Sequence, residues 1–323
     1  MSEAVDFLAG VPLLAGLERA ALEEVARATH QRPAKAERQL WRQGERPREM
    51  FFVVDGAVET RLGLPGERTT EVTTAGPGET VGELALFDGE VQPTGAVARV
   101  DSTLLALGQL GFDDLLAGHD AGAFLLRRRL AALFAERLRG QLAEVATALG
   151  GEPAGPEPED AARTFAALED SPAPDSRYVS QMASFLEFDP VALWGFLTAG
   201  RYVSCPPGRT LLVEGAPAPA YYLTINGAVE KVLVRGHRHI RVGLAGPGKA
   251  FGAESLIDGG PSPLTAVTRE RSLLLVLPRD IFGRLFEGED PIVSRVCLGV
   301  ILRDLAGALR ETLRPYARLL AGM

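Results

Sequence analysis

The sequence predicts a mainly β protein with flanking helices, built as two tandem copies of one small sandwich or barrel. Three observations predict it. Residues 76–89 (GPGETVGELALFDG) and 246–259 (GPGKAFGAESLIDG) are versions of one segment. Each is set among short β-rich runs broken by Gly, Pro, Asn and Asp, the pattern of a sandwich or barrel. The chain has 323 residues, enough for two ordinary domains and too many for one compact barrel.

Internal repeats decide the architecture, so the alignment comes first. Gly82 falls on Gly252 at an offset of 170, which also brings Ala96-Val97 onto Ala266-Val267 and Phe112 onto Phe282. Upstream, Asp55-Gly56-Ala57-Val58-Glu59 matches Asn226-Gly227-Ala228-Val229-Glu230 at 171, and Leu22 and Val25 match Leu193 and Phe196. The one-residue slip lies between Glu59 and Gly76, where the turn Leu64-Pro65-Gly66-Glu67 can absorb it. The chain is a duplication.

Each copy opens with a short helical segment; in the first, Leu17, Leu22 and Val25 share a helical face. Strand-like runs follow, with Asp55-Gly56 and Asn226-Gly227 reading as two-residue hairpin turns. A long helix closes each copy. Leu130, Phe134, Leu138, Leu142, Val145 and Leu149 form the first spine. Ile301, Leu305, Leu309 and Leu313 form the second, before Pro315 interrupts the pattern. Residues 150–176 are rich in Pro, Gly and acid and read as a linker, with AARTFAALE able to form one or two helical turns. The domains are therefore expected at 1–149 and 177–323.

The net charge of −8 argues against a surface built mainly for nucleic acid or anionic lipid. Cys205 and Cys297 are far apart and read as small buried hydrophobes in a reducing cytoplasm, not as a disulfide framework or metal site. No apolar run reaches the ~20 residues of a membrane span. The N-terminus lacks the basic start of a signal peptide, so a cytoplasmic location is expected.

The stretch Gly76-Pro77-Gly78-Glu79-Thr80-Val81-Gly82-Glu83-Leu84-Ala85-Leu86 resembles the phosphate-binding cassette of cyclic-nucleotide-binding domains, as found in bacterial catabolite activators and kinase regulatory subunits. The order of helix, strands, cassette and closing helix fits along both copies. The resemblance implies two jelly-roll β-barrels, each with an N-terminal helical segment and a long C-terminal helix. It implies a cyclic nucleotide, cAMP or cGMP, as ligand. The candidate ligand-binding residues are Gly82, Glu83, Leu84, Ala85 and Thr94 in the first copy, and Gly252, Ala253, Glu254, Ser255 and Thr265 in the second. Glycine lets the backbone approach a ligand closely, and the following short helix presents free N–H groups to a phosphate. In the family the glutamate at Glu83 holds the ribose hydroxyl, and a later arginine pairs with the phosphate.

The sequence departs from the family at that arginine, which falls on Pro93 and Pro263. Proline brings neither charge nor an N–H donor. Glu254 is also one position out of register with Glu83, which turns its side chain by about 100° on a helix. Arg99 and Arg269 occupy equivalent places, with parity opposite to Ala96 and Ala98. They face solvent if those alanines face inward, and pair with a phosphate otherwise. Thr94 and Thr265 either donate to a ligand or serve as ordinary strand residues.

Other chemistries fail on spacing. His237 and His239 form a His-x-His without an acidic ligand after it, and read as solvated hairpin-tip residues. Gly246-Pro247-Gly248-Lys249 lacks the spacing of a P-loop. No nucleophile elbow or Cys/His pair is present, so no catalytic activity is expected. Arg127, Arg128 and Arg129, with Arg137 and Arg139, read as the wet side of a helix, and with no recognition helix after the closing helix DNA is not an expected partner. Two functions stay open. One is a tandem sensor of a small ligand that signals through its closing helices to a protein partner or a second copy of itself. The other is a structural protein with vestigial pockets.

Overall fold

The computed structural model describes residues 2–66, 68–182, 185–186 and 188–322. Glu67, the last residue of the turn named above, lies outside them. The chain divides into two compact units, Met1–Leu133 with Leu320–Met323, and Phe134–Leu319. No described helix is long and apolar enough to cross a membrane.

Unit 1 begins with α1 (Ser2–Ala9), a 3-10 turn (Pro12–Leu14) and α2 (Arg19–Ala28). Leu22 and Val25 are buried on α2, whereas Leu17 precedes the helix and is half-buried. The strands are β1 (Thr29–Ala34), β2 (Gln39–Trp41), β3 (Glu49–Asp55), β4 (Val58–Gly63), β5 (Thr69–Ala75) and β6 (Thr80–Val81). After the short α3 (Glu83–Asp88) come β7 (Gly95–Ala98) and β8 (Ser102–Gly108). They form two antiparallel sheets, ordered β1-β8-β3-β6 and β2-β7-β4-β5. The chain weaves between the sheets as a jelly roll does. Trp41, Phe51, Val58, Val81, Ala96, Ala98 and Leu104 belong to one core cluster. The closing helices are α4 (Gln109–Ala117) and α5 (Ala121–Leu149), and α5 belongs to unit 2 from Phe134 onward.

Unit 2 repeats this plan after α6 (Pro158–Ala166), α7 (Ser176–Ser180) and α8 (Pro190–Thr198). Its strands are β9 (Arg201–Cys205), β10 (Thr210–Leu212), β11 (Ala220–Asn226), β12 (Val229–Arg235), β13 (Arg238–Ala245) and β14 (Ala250–Phe251). Then follow α9 (Ala253–Asp258), β15 (Thr265–Thr268), β16 (Ser272–Pro278), α10 (Arg279–Glu287) and α11 (Pro291–Leu320). The sheets are β14-β11-β16-β9 and β10-β15-β12-β13.

The duplication extends to backbone irregularities. Register shifts at Gln39/Trp41, Val53/Asp55 and Thr60/Arg61 recur at Thr210/Leu212, Thr224/Asn226 and Lys231/Val232. Each pair is 171 residues apart. The offset falls to 170 between the β4–β5 turn and its tighter β12–β13 counterpart, where Arg235 faces Arg238, so the slip lies where a hairpin absorbs it.

Three sequence expectations need correction. Asp55-Gly56 and Asn226-Gly227 are not hairpin turns, because β3 and β4, like β11 and β12, lie in different sheets. They are corners between sheets. A Cβ on Gly56 would lie 2.2 Å from Ser102 Oγ and one on Gly227 2.4 Å from Ser272 Oγ, so close approach, with φ near +90°, demands glycine. Second, α11 runs through Pro315 to Leu320; Pro315 and Tyr316 are buried there, and that packing offsets the lost backbone hydrogen bond. Third, Arg127 is not solvated: it is half-buried and donates to the Leu116 carbonyl.

The segment 150–176 is part of unit 2 and packs within it. Ala161 of α6 packs with Val213 and Ala216, Asp170 bridges to Val203 on β9, and Ser171 donates its N–H to Tyr202 at 2.8 Å. Cys205 and Cys297 are free and buried, and burial pushes the Cys297 thiol up to about 12.

The cores are filled differently at one matching site. In unit 1, Trp41 stacks on Phe51 with ring centroids 6.1 Å apart; in unit 2, Phe251 stacks on Tyr222 at 5.2 Å. Phe51 and Tyr222 are repeat equivalents. The large partner comes from β2 in one copy and β14 in the other, while the alternate positions hold Val81 and Leu212. The volumes compensate. Trp41→Leu is expected to cost unit 1 about 2–4 kcal/mol through the cavity it leaves. Adding Val81→Phe should restore a good part of it, read as hydrogen-exchange protection of β3 and β8.

Candidate functional site

Each cassette starts where a two-residue strand ends on a left-handed glycine. β6 pairs with β3 through Phe51↔Val81, and Gly82 follows with φ of 96°. A Cβ there would lie 3.1 Å from the Glu49 carbonyl oxygen and 3.5 Å from the Trp41 ring. Gly252 has φ of 95° and would meet the Ala220 carbonyl oxygen at 3.0 Å. Left-handed Gly89 ends α3, its N–H bonding the Ala85 carbonyl, and left-handed Gly259 ends α9.

The structure gathers Gly82, Glu83, Leu84, Ala85 and Thr94 at one end of the first barrel. Glu83 is wholly buried, and Leu84 and Ala85 are buried as packing residues. Two side chains not singled out in the sequence hold the set together. Gln92 Nε2 donates to the Gly82 carbonyl at 3.1 Å, while its main chain bonds Gly44 and Glu45 of the β2–β3 loop. Trp41 Nε1 donates to the Thr94 carbonyl at 2.9 Å. The loop bonds recur at Ser262, which pairs with Gly215 and Ala216. The glutamine itself does not recur. Its work passes to Ser255, whose hydroxyl donates to Gly260 at 2.5 Å and accepts from Ala218 N–H at 3.0 Å.

In the second cassette Ala253, Glu254 and Ser255 are all buried. Burial raises the Glu254 carboxyl above its ordinary range, against a backbone hydrogen bond and the nearby Lys231 and Arg139. The Thr265 hydroxyl accepts from the Glu214 N–H at 3.1 Å, so it serves the backbone. Thr60 and Thr73 of the first copy, whose hydroxyls meet at 2.9 Å, are replaced by Lys231 and Gly243. A Cβ on Gly243 would lie 2.5 Å from Lys231 Cε. The lysine end therefore lies across the glycine. Only comparing the copies position by position would have flagged that exchange.

Arg99 and Arg269, expected on a strand, lie just past the ends of β7 and β15, and neither bonds a cassette residue among the described residues. Arg99 is exposed, and Arg269 pairs with Glu230. Pro93 and Pro263 are half-buried. Arg139 of α5 does reach the second cassette. Its guanidinium forks onto Asp258, at 2.9 and 3.0 Å, and donates to the Pro261 carbonyl at 2.6 Å. A helix belonging by sequence to the first copy thus grips the loop after α9. His237 and His239 are exposed at the β12–β13 hairpin, and no group of three potential metal ligands occurs among the described residues.

A sequence model of the family described as cyclic nucleotide-binding domain matches residues 31–119 and 202–289. A cyclic nucleotide-gated potassium channel, mll3241, of Mesorhizobium japonicum is 34% identical over 121 residues, covering 38% of this chain and 32% of its own. The chain thus spans about a third of the length of that curated relative. Among solved structures, the regulatory domain of Toxoplasma gondii PKA with cAMP is similar at 17% identity, covering 89% of this chain and 92% of that one, with a TM-score of 0.34. Thermus thermophilus catabolite activator protein is similar at 26% identity, covering 43% and 68%, with a TM-score of 0.36.

Arg139→Met should free the loop after α9, a partly exposed ion pair being worth up to about 1 kcal/mol. The expected readout is faster hydrogen exchange at residues 258–263, with β3 and β8 of unit 1 unchanged.

Proposed function

Because the chain belongs to the cyclic nucleotide-binding domain family, carrying two such domains in tandem, we propose that it is a non-catalytic regulatory protein sensing a small ligand at its first cassette. The observation that carries this is Glu83, wholly buried directly after left-handed Gly82 and braced through Gln92. A carboxylate in that place suits a neutral hydroxyl donor such as a ribose. Gly82, Glu83, Leu84, Ala85 and Thr94 are the proposed ligand-binding residues, with cAMP or cGMP as the ligand class. In the second copy Gly252, Ala253, Glu254, Ser255 and Thr265 hold the same places, but the neighbouring charges make ligand binding there a weaker function. The closing helices are the proposed output, toward a protein partner or a second copy in the cytoplasm. Domain limits of 1–149 and 177–323, joined by 150–176, complete the reading.

A second reading has its own support. Both cassettes carry proline at the phosphate-pairing position, and aromatic stacks fill the barrels beside them. A structural or interaction protein with vestigial pockets fits these facts.

Calorimetric titration of the full chain with cAMP, cGMP and cyclic dinucleotides separates the two. The sensing reading expects micromolar binding at one site, weakened at least tenfold by Glu83→Ala, since removing a charged hydrogen-bond acceptor costs about 1.5–3 kcal/mol. Absence of heat with every nucleotide favours the vestigial reading.

A further inference from the structure

One face of α11 carries acids toward the second cassette. Asp304 accepts the Tyr221 hydroxyl at 3.4 Å and the backbone N–H of Ala250, the first residue of β14. Lys249 and Lys231 both act on the Asp304 carboxylate electrostatically. One helical row further, a Cβ on Gly307 would lie 3.9 Å from Lys249 Nζ. Glu311 Oε2 stands 3.9 Å from Lys231 Nζ. Positions 304, 307 and 311 share a helical face. The groups facing Asp304 are thus Lys231 on β12, Lys249 ahead of β14 and Tyr221 on β11; Glu254 and Glu311 share Lys231.

These groups change together between the copies. The offset of 170 persists to the helix starts, Ala121 and Pro291. It places Phe134 and Gln141 opposite Asp304 and Glu311, and Glu79 and Thr73 opposite Lys249 and Gly243; Thr60 matches Lys231 at 171. The first copy has none of the acids and neither lysine. The second has both, with a glycine that makes room for Lys231.

We propose that α11 is a built-in latch: Asp304 hydrogen-bonds Tyr221 and the start of β14 while Glu311 pairs with Lys231, holding that copy closed without a ligand. The inference goes beyond the sensing assigned to the first cassette and does not depend on it.

The latch is pH-sensitive in a defined direction. Burial pushes Asp304 up to about 7 from an ordinary 3.8. A raised carboxyl favours the closed state when protonated, so closure is strongest below 3.8 and weakens as pH rises toward about 7. Opening becomes insensitive again above that.

Hydrogen exchange of the ligand-free full chain, corrected for intrinsic rates, tests this on peptides spanning 300–313. One group titrating near 7 predicts that opening of α11 increases roughly tenfold between pH 6 and pH 8. Asp304→Asn, which mimics the protonated acid, should remove that dependence. Glu311→Gln and Lys231→Met should increase opening at both pH values. If Lys231→Met does not fold, Glu311→Gln and the wild-type comparison still decide. A flat wild-type profile, or a pH response that survives in Asp304→Asn, overturns the latch. No nucleotide is present, so the result is separate from that of the calorimetry.

Discussion

Each cassette is placed by a glycine whose left-handed backbone is pressed against the start of a central strand. Gly82 sits against Glu49 and Met50, Gly252 against Ala220, at distances where a side-chain carbon would have to displace the neighbouring backbone. That contact fixes the direction in which α3 and α9 leave the sheet. It also decides which residue is swallowed first: Glu83 in one copy, Ala253 in the other. The register of the buried acids follows from it, as does the need for a brace on the returning loop. Gln92 braces one copy and Ser255 the other.

On this shared skeleton the two copies have diverged in charge. The first keeps its interior neutral around a single buried glutamate. The second admits a lysine beside a glycine and answers it with acids on its closing helix, while Arg139 reaches the outside of the same cassette. Partly exposed ion pairs of this kind add little stability, because solvent screens them and ordering the side chains costs entropy. Their effect is geometric. The Lys231–Glu311 pair ties α11 to β12 at a defined register.

The repeat, the barrels and the helix spines were legible because each depends on periodicity or a pair of offsets. All six residues of the first spine, Leu130 to Leu149, are buried. The Asp-Gly and Asn-Gly corners misled because two residues with a turn preference join strands in one sheet or between two, and the difference lies in distant pairing. Pro315 misled because tertiary burial outweighs a local penalty. Arg139 was visible only as one member of a basic helix face expected to be solvated. Nothing in a sequence marks which surface arginine meets a loop some 120 positions later. The linker was judged by composition, yet Ala161 packs against Val213 and Ala216, and Asp170 and Ser171 add backbone contacts to β9.

The exchanged aromatic partners bear on how the two halves of the gene can evolve. Trp41 with Val81 and Leu212 with Phe251 are alternative solutions to one packing volume. Copying β2 of the first repeat into the second would set tryptophan beside phenylalanine, and the reverse transfer would leave leucine beside valine. Either hybrid is overfilled or hollow. Recombination between the repeats, which normally keeps duplicated segments alike, is therefore penalised at the point where each cassette joins its barrel, and the halves are free to drift into separate roles.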